Sequence, residues 1–249
     1  MRLPDGSQVS GDPLLGDDPA GSATGLGIAE EFVDAGDRTP DAADVEKQLE
    51  TGTTTVGLQT DDAVVLATDQ RASLGNMVQD KAAKKIYEIH PSAAITISGG
   101  VSQAQSLVST LQAETRLYES RRGKDMSIQA VSTLIGNLLR SGAFFIVVPV
   151  LGGVDDEGGH VYSYDALGGM SEQEYTVSGS GSQFALGVLE RRYEGEETLS
   201  PEEAETAAVD AVSAAMERDT ASGNGMRVAT ITEDDISVDV YDTPEDVPN

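Results

Sequence analysis

Apolar and polar positions divide the chain unevenly. Residues 1–52 mix Gly, Asp, Pro and Ala with little periodicity. Such a composition buries little surface, so this segment is expected to be largely disordered, with a weak helical signal at Asp41–Leu49. Order is expected from Thr53 onward. The β-branched run Thr53-Thr54-Thr55-Val56-Gly57-Leu58 reads as a strand, Asp61-Asp62 as a turn, and Val64–Thr68 as a second, buried strand, making a hairpin. Two more short strands are expected across Lys84–Ile89 and Ala94–Ser98. The period then lengthens. Ala104, Leu107, Val108, Leu111 and Tyr118 share one helix face, and Arg121-Arg122-Gly123 suits a helix C-terminus. Ser127 is placed to cap a second helix whose inward face is Val131, Leu134, Ile135 and Leu138.

A second β region follows. Phe144–Leu151 is a continuous apolar run, as for a strand covered on both faces, and Gly152-Gly153 is expected to close it. Val161–Tyr164 and Glu174–Val177 are expected to continue the same sheet. Helical patterns return at Ser182–Tyr193 and after Ser200-Pro201-Glu202-Glu203, which combines an N-cap, a first-turn proline and a capping-box glutamate. The apolar face of that last helix is Ala204, Ala208, Ala211, Val212 and Ala215. Val228–Val240 reads as a hairpin turning at Glu233-Asp234-Asp235, and residues from Asp242 onward are expected to fray. Strands, two helices, strands, two helices, strands is an α+β order. It predicts a four-layer αββα sandwich over residues 53–249, preceded by an acidic segment over 1–52.

Charge narrows the classes of function. The chain has 43 acidic and 16 basic residues, a formal net charge of -27. The excess is spread over both parts, net -9 in residues 1–52 and net -18 in 53–249, so it is a property of the whole surface. Such a surface repels phosphate backbones and anionic headgroups; neither nucleic acid nor membrane is an expected partner. Its self-repulsion fades where the Debye length shrinks to about 3 Å, near 1 M salt, which points to a salt-rich cytoplasm. No stretch is apolar enough to span a bilayer, and the Asp-rich start does not read as a secretory signal. The chain has no cysteine, which removes disulfides, thiol nucleophiles and thiolate metal sites. Of two histidines, His90 precedes Pro91 at the end of an apolar run and His160 follows Gly158-Gly159 in a turn. Both read as structural, so a hydrolase built here needs a base other than histidine, and neither a metal nor a cofactor is expected.

The junction Thr51-Gly52-Thr53 offers such a base. Cleavage after Gly52 would leave Thr53 with a hydroxyl and a free α-amine on one residue. An amine with a pKa of about 7.7–8.0 can take the hydroxyl proton directly or through water. A Gly-Thr-Thr-Thr run alone marks a strand start more often than an active site.

Further motifs follow in order. Thr53-Thr54-Thr55-Val56-Gly57 resembles the mature N-terminus of proteasome β subunits, which are N-terminal-nucleophile hydrolases. Asp69-Gln70-Arg71-Ala72-Ser73-Leu74-Gly75 resembles that family's D-x-R-A-[ST]-x-G motif. Ala83-Lys84-Lys85-Ile86 is similar to the segment with the catalytic lysine, and Ser98-Gly99-Gly100 to the oxyanion-hole segment. Val177-Ser178-Gly179-Ser180-Gly181-Ser182 resembles the later GSGS loop, and Arg218-Asp219-Thr220-Ala221-Ser222-Gly223 the R-D-x-x-S-G motif. The resemblance covers residues 53–249; the leader 1–52 is similar in role only.

The resemblance implies a threonine endopeptidase that cuts its own chain between Gly52 and Thr53. Thr53 would be the nucleophile. Lys85 would lie beside its oxygen as proton acceptor or positive field, oriented by a charge-assisted bond to Asp69. Position alone does not choose among Lys81, Lys84 and Lys85; the family pattern chooses Lys85. Ser180, Asp219 and Ser222 would position the amine and a water, and the Gly99 N–H would hold the oxyanion. Without the other motifs, Asp69 would read as a strand-end acid paired with Arg71, and the Ser, Asp and Gly residues as turn chemistry. A substrate would add as an extended strand near Ser73, its side chain entering a pocket of Ala72, Ala83, Tyr87, Ile97 and Val101. These are apolar, which implies cleavage after large hydrophobic residues. The implied partners are proteasome α subunits and other β subunits, in heptameric rings with two β rings stacked between two α rings. An ATP-dependent unfoldase cap and unfolded protein substrates complete the implied set. A non-cutting ring subunit is the alternative from a different class, and loss of Thr53, Asp69 or Lys85 would have favoured it. A simpler two-ring bacterial peptidase or a small-amide hydrolase is the other alternative; the GSGS and R-D-x-x-S-G pair argues against it.

Overall fold

β1 (Thr54–Gln59) and β2 (Val64–Asp69) form the expected hairpin and become the centre of a five-stranded antiparallel sheet ordered β10-β1-β2-β11-β12. The other members are β10 (Tyr175–Gly179), β11 (Met226–Ile231) and β12 (Ile236–Tyr241). A second five-stranded sheet runs β5-β6-β7-β8-β9, from β5 (Ile86–His90), β6 (Ala93–Gly99), β7 (Val147–Asp155), β8 (Gly158–Tyr164) and β9 (Met170–Glu172). The computed structural model describes residues 52–193 and 198–246; the expectations for residues 1–51, including the helical signal at Asp41–Leu49, lie outside them.

The pleat explains how the sheets stack. Successive side chains on a strand point to opposite faces. On β2, Val65 and Ala67 pack with Val56 and Leu58 against α3 (Ser182–Arg192) and α4 (Pro201–Met216). Val64 and Leu66 point the other way and join Ile86, Ala94, Val150 and Val161 between the sheets. A third cluster places Leu107, Leu111, Val131 and Ile135 of α1 (Val101–Arg122) and α2 (Ile128–Arg140) on the outer face of the second sheet. The result is helices, sheet, sheet, helices, the layered α+β sandwich that the order of elements predicts. Helix ends follow their capping chemistry. Gly123 sits in the left-handed region after α1, Ser127 accepts from Ala130 N at the start of α2, and Ser200 and Glu203 form the reciprocal box that opens α4. No described helix is long and apolar enough to cross a membrane.

The structure corrects several boundaries. Phe144 and Ile146 are buried in a turn, and the strand expected at Phe144–Leu151 is Val147–Asp155. Gly152 and Gly153 lie inside that strand. They are glycines because neighbours come close: a Cβ at 152 would stand 2.6 Å from Val64 Cγ1, and one at 153 would stand 2.6 Å from Ile128 Cδ1. The strand expected at Glu174–Val177 is Tyr175–Gly179, and it leaves the second sheet to pair with β1. A small hairpin, β3 (Ala72–Leu74) with β4 (Met77–Asp80), and the short β9 have too few residues to show a period. Beyond Asp242, Pro244–Asp246 form a 3-10 turn where fraying was expected.

Candidate active site

The site lies at the start of β1, where several segments distant in sequence converge. Asp69 ends β2, is wholly buried and accepts four hydrogen bonds. Its Oδ1 receives Lys85 Nζ at 2.6 Å and the Thr54 N–H at 3.0 Å. Its Oδ2 receives the Arg71 N–H at 3.0 Å and the Gly223 N–H at 2.9 Å. A carboxylate with both oxygens so engaged is fixed in direction. Lys85, just before β5, has its carbonyl tied to the Ile97 N–H at 2.9 Å. Burial pushes the Lys85 ammonium below its ordinary value, Arg71 adds to that, and Asp69 and Asp219 oppose it.

On the other side of Thr53 lies a hydroxyl–carboxylate cluster. The Thr53 N–H donates to Ser180 Oγ at 3.1 Å, and Ser180 Oγ donates to Asp219 Oδ2 at 2.5 Å. Ser222 Oγ donates to the same Oδ2 at 2.6 Å. The move of β10 into the first sheet is what brings Ser180 here: Gly179 is the register partner of Thr54. Asp219 is delivered by the end of α4, its N–H bonding to Ala215 O at 2.7 Å. Gly52 is buried beside Thr53, and a Cβ there would stand 1.7 Å from Ala221 Cβ.

Thr53, Lys85 and Gly99 open on a cavity of about 690 Å³. Gly99 has φ +112, and a Cβ there would lie 1.9 Å from Ile146 O, so the turn admits only glycine. Ala72, Ser73, Ala83, Tyr87, Ile97 and Val101 all line the same cavity. Asp80, Lys84 and Gln79 line it too, charged and polar groups that the apolar set had not included. Tyr87 is held by donating its hydroxyl to Lys84 O at 2.7 Å. Ser73 Oγ donates to Ala221 O at 3.2 Å. The site residues singled out in the sequence therefore line this cavity or form the Ser180–Asp219–Ser222 cluster, except Asp69, which is buried and reaches the cavity through Lys85.

Three residues in the same network drew no role from the sequence. Arg71 does not turn its guanidinium to Asp69; Nη1 donates to Thr220 O and Nε to Asn224 Oδ1, each at 2.8 Å. Asn224 receives it from a left-handed backbone, φ 66, the one non-glycine residue with positive φ among the described residues. Thr54 Oγ1 bonds Ser222 Oγ at 2.8 Å. The histidines stay away: His160 meets Glu172 at 2.6 Å and Asp155 at 3.1 Å, and His90 Nδ1 accepts from the Ser92 N–H at 3.3 Å. Among the described residues, no group of three or more His, Asp and Glu is arranged to hold a metal ion.

Comparison with known proteins gives one family. The proteasome subunit family profile matches residues 49–231. The chain is 60% identical to a proteasome subunit beta of Halorubrum lacusprofundi over 82% of this chain and 84% of the relative. It is 55% identical to one of Haloquadratum walsbyi over 99% and 100%, and 54% identical to one of Haloferax volcanii over 96% of each.

Proposed function

Because this chain belongs to the proteasome subunit family, we propose that it is the proteolytic β subunit of a 20S-type core: a threonine endopeptidase, made as a precursor, that frees its own nucleophile by cutting between Gly52 and Thr53. One observation carries this reading. The Thr53 nitrogen is already bonded to Ser180, and through it to Asp219, while Thr53 still carries Gly52. Lys85, paired with the buried Asp69, lines the same cavity as Gly52 and Thr53.

In the first reaction the Thr53 hydroxyl attacks the Gly52 carbonyl and its proton passes to a base. The C–N bond breaks as the Thr53 nitrogen takes that proton back from the base and leaves as an amine, and Gly52 is held as an ester. Water then hydrolyses that ester and releases residues 1–52. In later turnovers the amine and Lys85 share the proton traffic of the hydroxyl, and the Gly99 N–H serves the oxyanion. Losing a donor of that kind costs about 2.7–4 kcal/mol of barrier. The apolar wall of Ala72, Ala83, Tyr87, Ile97 and Val101 favours large hydrophobic residues before the cut, with Asp80 and Lys84 bounding the cavity. Assembly with α subunits into stacked heptameric rings, fed by an ATP-dependent unfoldase with unfolded chains, belongs to the same reading.

The test is intact mass of the chain co-assembled with haloarchaeal α subunits in high salt. Wild type is expected to lose residues 1–52 and Thr53→Ala to keep them. Both chains full length in assembled particles would mean a non-cutting ring subunit. Peptides with hydrophobic, acidic and basic residues before the cut give the specificity. Preferential hydrolysis after Arg or Asp would overturn the hydrophobic preference.

A further inference from the structure

We propose that the Thr54 hydroxyl is a positioning residue for the threonine chemistry, acting through Ser222 on the carboxylate that holds Ser180 against the Thr53 nitrogen. This rests on the catalytic reading above.

Counting protons gives the direction of each bond. Asp219 Oδ2 can only accept, so the Ser222 proton is committed to it at 2.6 Å. The 2.8 Å contact between Ser222 Oγ and Thr54 Oγ1 must then run from Thr54 to Ser222. Likewise Ser180 gives its proton to Asp219 and uses a lone pair for the Thr53 N–H. One oxygen of Asp219 thus receives two serine donors. The first holds the Thr53 nitrogen, and the second is itself held by the next residue in the chain. Donors in series polarise one another, so a fixed Thr54 hydroxyl sharpens the aim of Ser222 and of the Asp219 carboxyl plane.

Two further observations make this contact more than incidental. Thr54 is wholly buried, and its N–H binds Asp69 Oδ1, the same atom that receives Lys85 Nζ. It therefore touches both the lysine–aspartate pair and the hydroxyl–aspartate cluster, and keeps them in register across the nucleophile. Gly181 leaves the room for it: a Cβ there would lie 2.1 Å from Thr54 Oγ1. Valine at position 54 would equally suit a strand start, so the sequence pattern alone does not ask for this hydroxyl.

The experiment is a double-mutant cycle in full chains co-assembled with α subunits. Turnover is referred to the number of sites labelled by a threonine-directed covalent inhibitor, and leader removal is followed by intact mass. Thr54→Val keeps the side-chain shape and removes the hydroxyl. It is expected to lower kcat per labelled site and slow leader removal by about tenfold, the worth of one hydrogen bond to a charged network, with KM within about twofold. In a Ser222→Ala background the same change is expected to cost less than about twofold, because the partner it acts through is gone. Thr54→Ser restores the wild-type rate if the hydroxyl is what matters. An equal cost in both backgrounds, no cost in either, or Ser failing as badly as Val would each overturn the proposal. Should Thr54→Val not enter particles, Thr54→Ala goes through the same cycle with the same criteria. Wild-type particles that neither shed the leader nor turn over peptide sink the catalytic reading itself. A competent wild type with indifferent position-54 variants sinks only the role of Thr54.

Discussion

Lys85 is one of the four donors that the Asp69 carboxylate receives, and its own proton affinity is set by burial against the charges around it. Burial lowers its proton affinity and Asp69 holds it up. Arginine at this position would keep the positive charge but could not give up a proton. Lys85→Arg is therefore expected to cost about 10²–10⁴ in kcat if Lys85 moves protons. Retention of near wild-type kcat would show that a positive field suffices. The variant separates the two roles that the sequence left open. Much at this scale was legible in the chain itself: a threonine after a glycine at a strand start, an acid ending the next strand, and a lysine-rich segment before another. What was not legible is direction. Arg71 follows Asp69 closely enough to suggest a pair, yet its guanidinium is aimed at the Thr220–Asn224 turn. A polar residue in a β-branched run, like Thr54, carries no mark of the hydroxyl it will meet 168 residues later.

Elements with a long period were read well, and those decided by packing were not. The helices α1, α2 and α4 announce themselves through caps or apolar faces. The strand β7 does not, because its glycines look like punctuation. Gly152 is in fact where the sheets approach, with Val64 Cγ1 only 2.6 Å from where a Cβ would be. Gly152→Ala is expected to destabilise the chain by about 1–3 kcal/mol, the usual cost of overfilling a packed core, as measured by denaturant unfolding in high salt. A loss within error of zero would mean that the sheets can part there freely. The β8–β9 pair carries a second expectation. Burial alone would lower the proton affinity of His160, but its hydrogen bonds to Glu172 and Asp155 outweigh this and raise it. Asp155 Oδ2 also accepts the Ile128 N–H at the start of α2, at 2.9 Å. A histidine raised in the fold contributes stability that is full below its unfolded value near about 6.5 and is lost as pH rises through the folded value. The unfolding midpoint should therefore fall as pH rises above that range, and His160→Gln should flatten the fall. Identical pH profiles for the two chains would contradict the ion-pair reading.

At the scale of the molecule, the layered order was visible because each helix pair interrupts a set of strands. The exchange of β10 between sheets was not, since neighbouring strands in sequence usually stay neighbours in space. That exchange carries Ser180 to Thr53. The charge acts at this scale too. With a formal net charge of -27 and relatives from salt-loving archaea, folded and assembled states are expected to need screening. Lowering KCl from about 2 M to about 0.1 M should lower the unfolding midpoint and dissociate particles, as followed by thermal melts and size-exclusion chromatography. Unchanged melting and elution across that range would count against a salt-adapted surface.

The bond from the Thr53 nitrogen to Ser180 has a consequence for how such a subunit would be switched on. On the proposed reading the nitrogen meets Ser180 while it still belongs to a peptide, and the freed amine is expected to keep that partner. Activation would then consist of the loss of one peptide bond rather than a change of shape, which leaves an effector little to favour or to trap. Maturation of this kind would be a ratchet: it would happen once and leave its record in the mass of the chain.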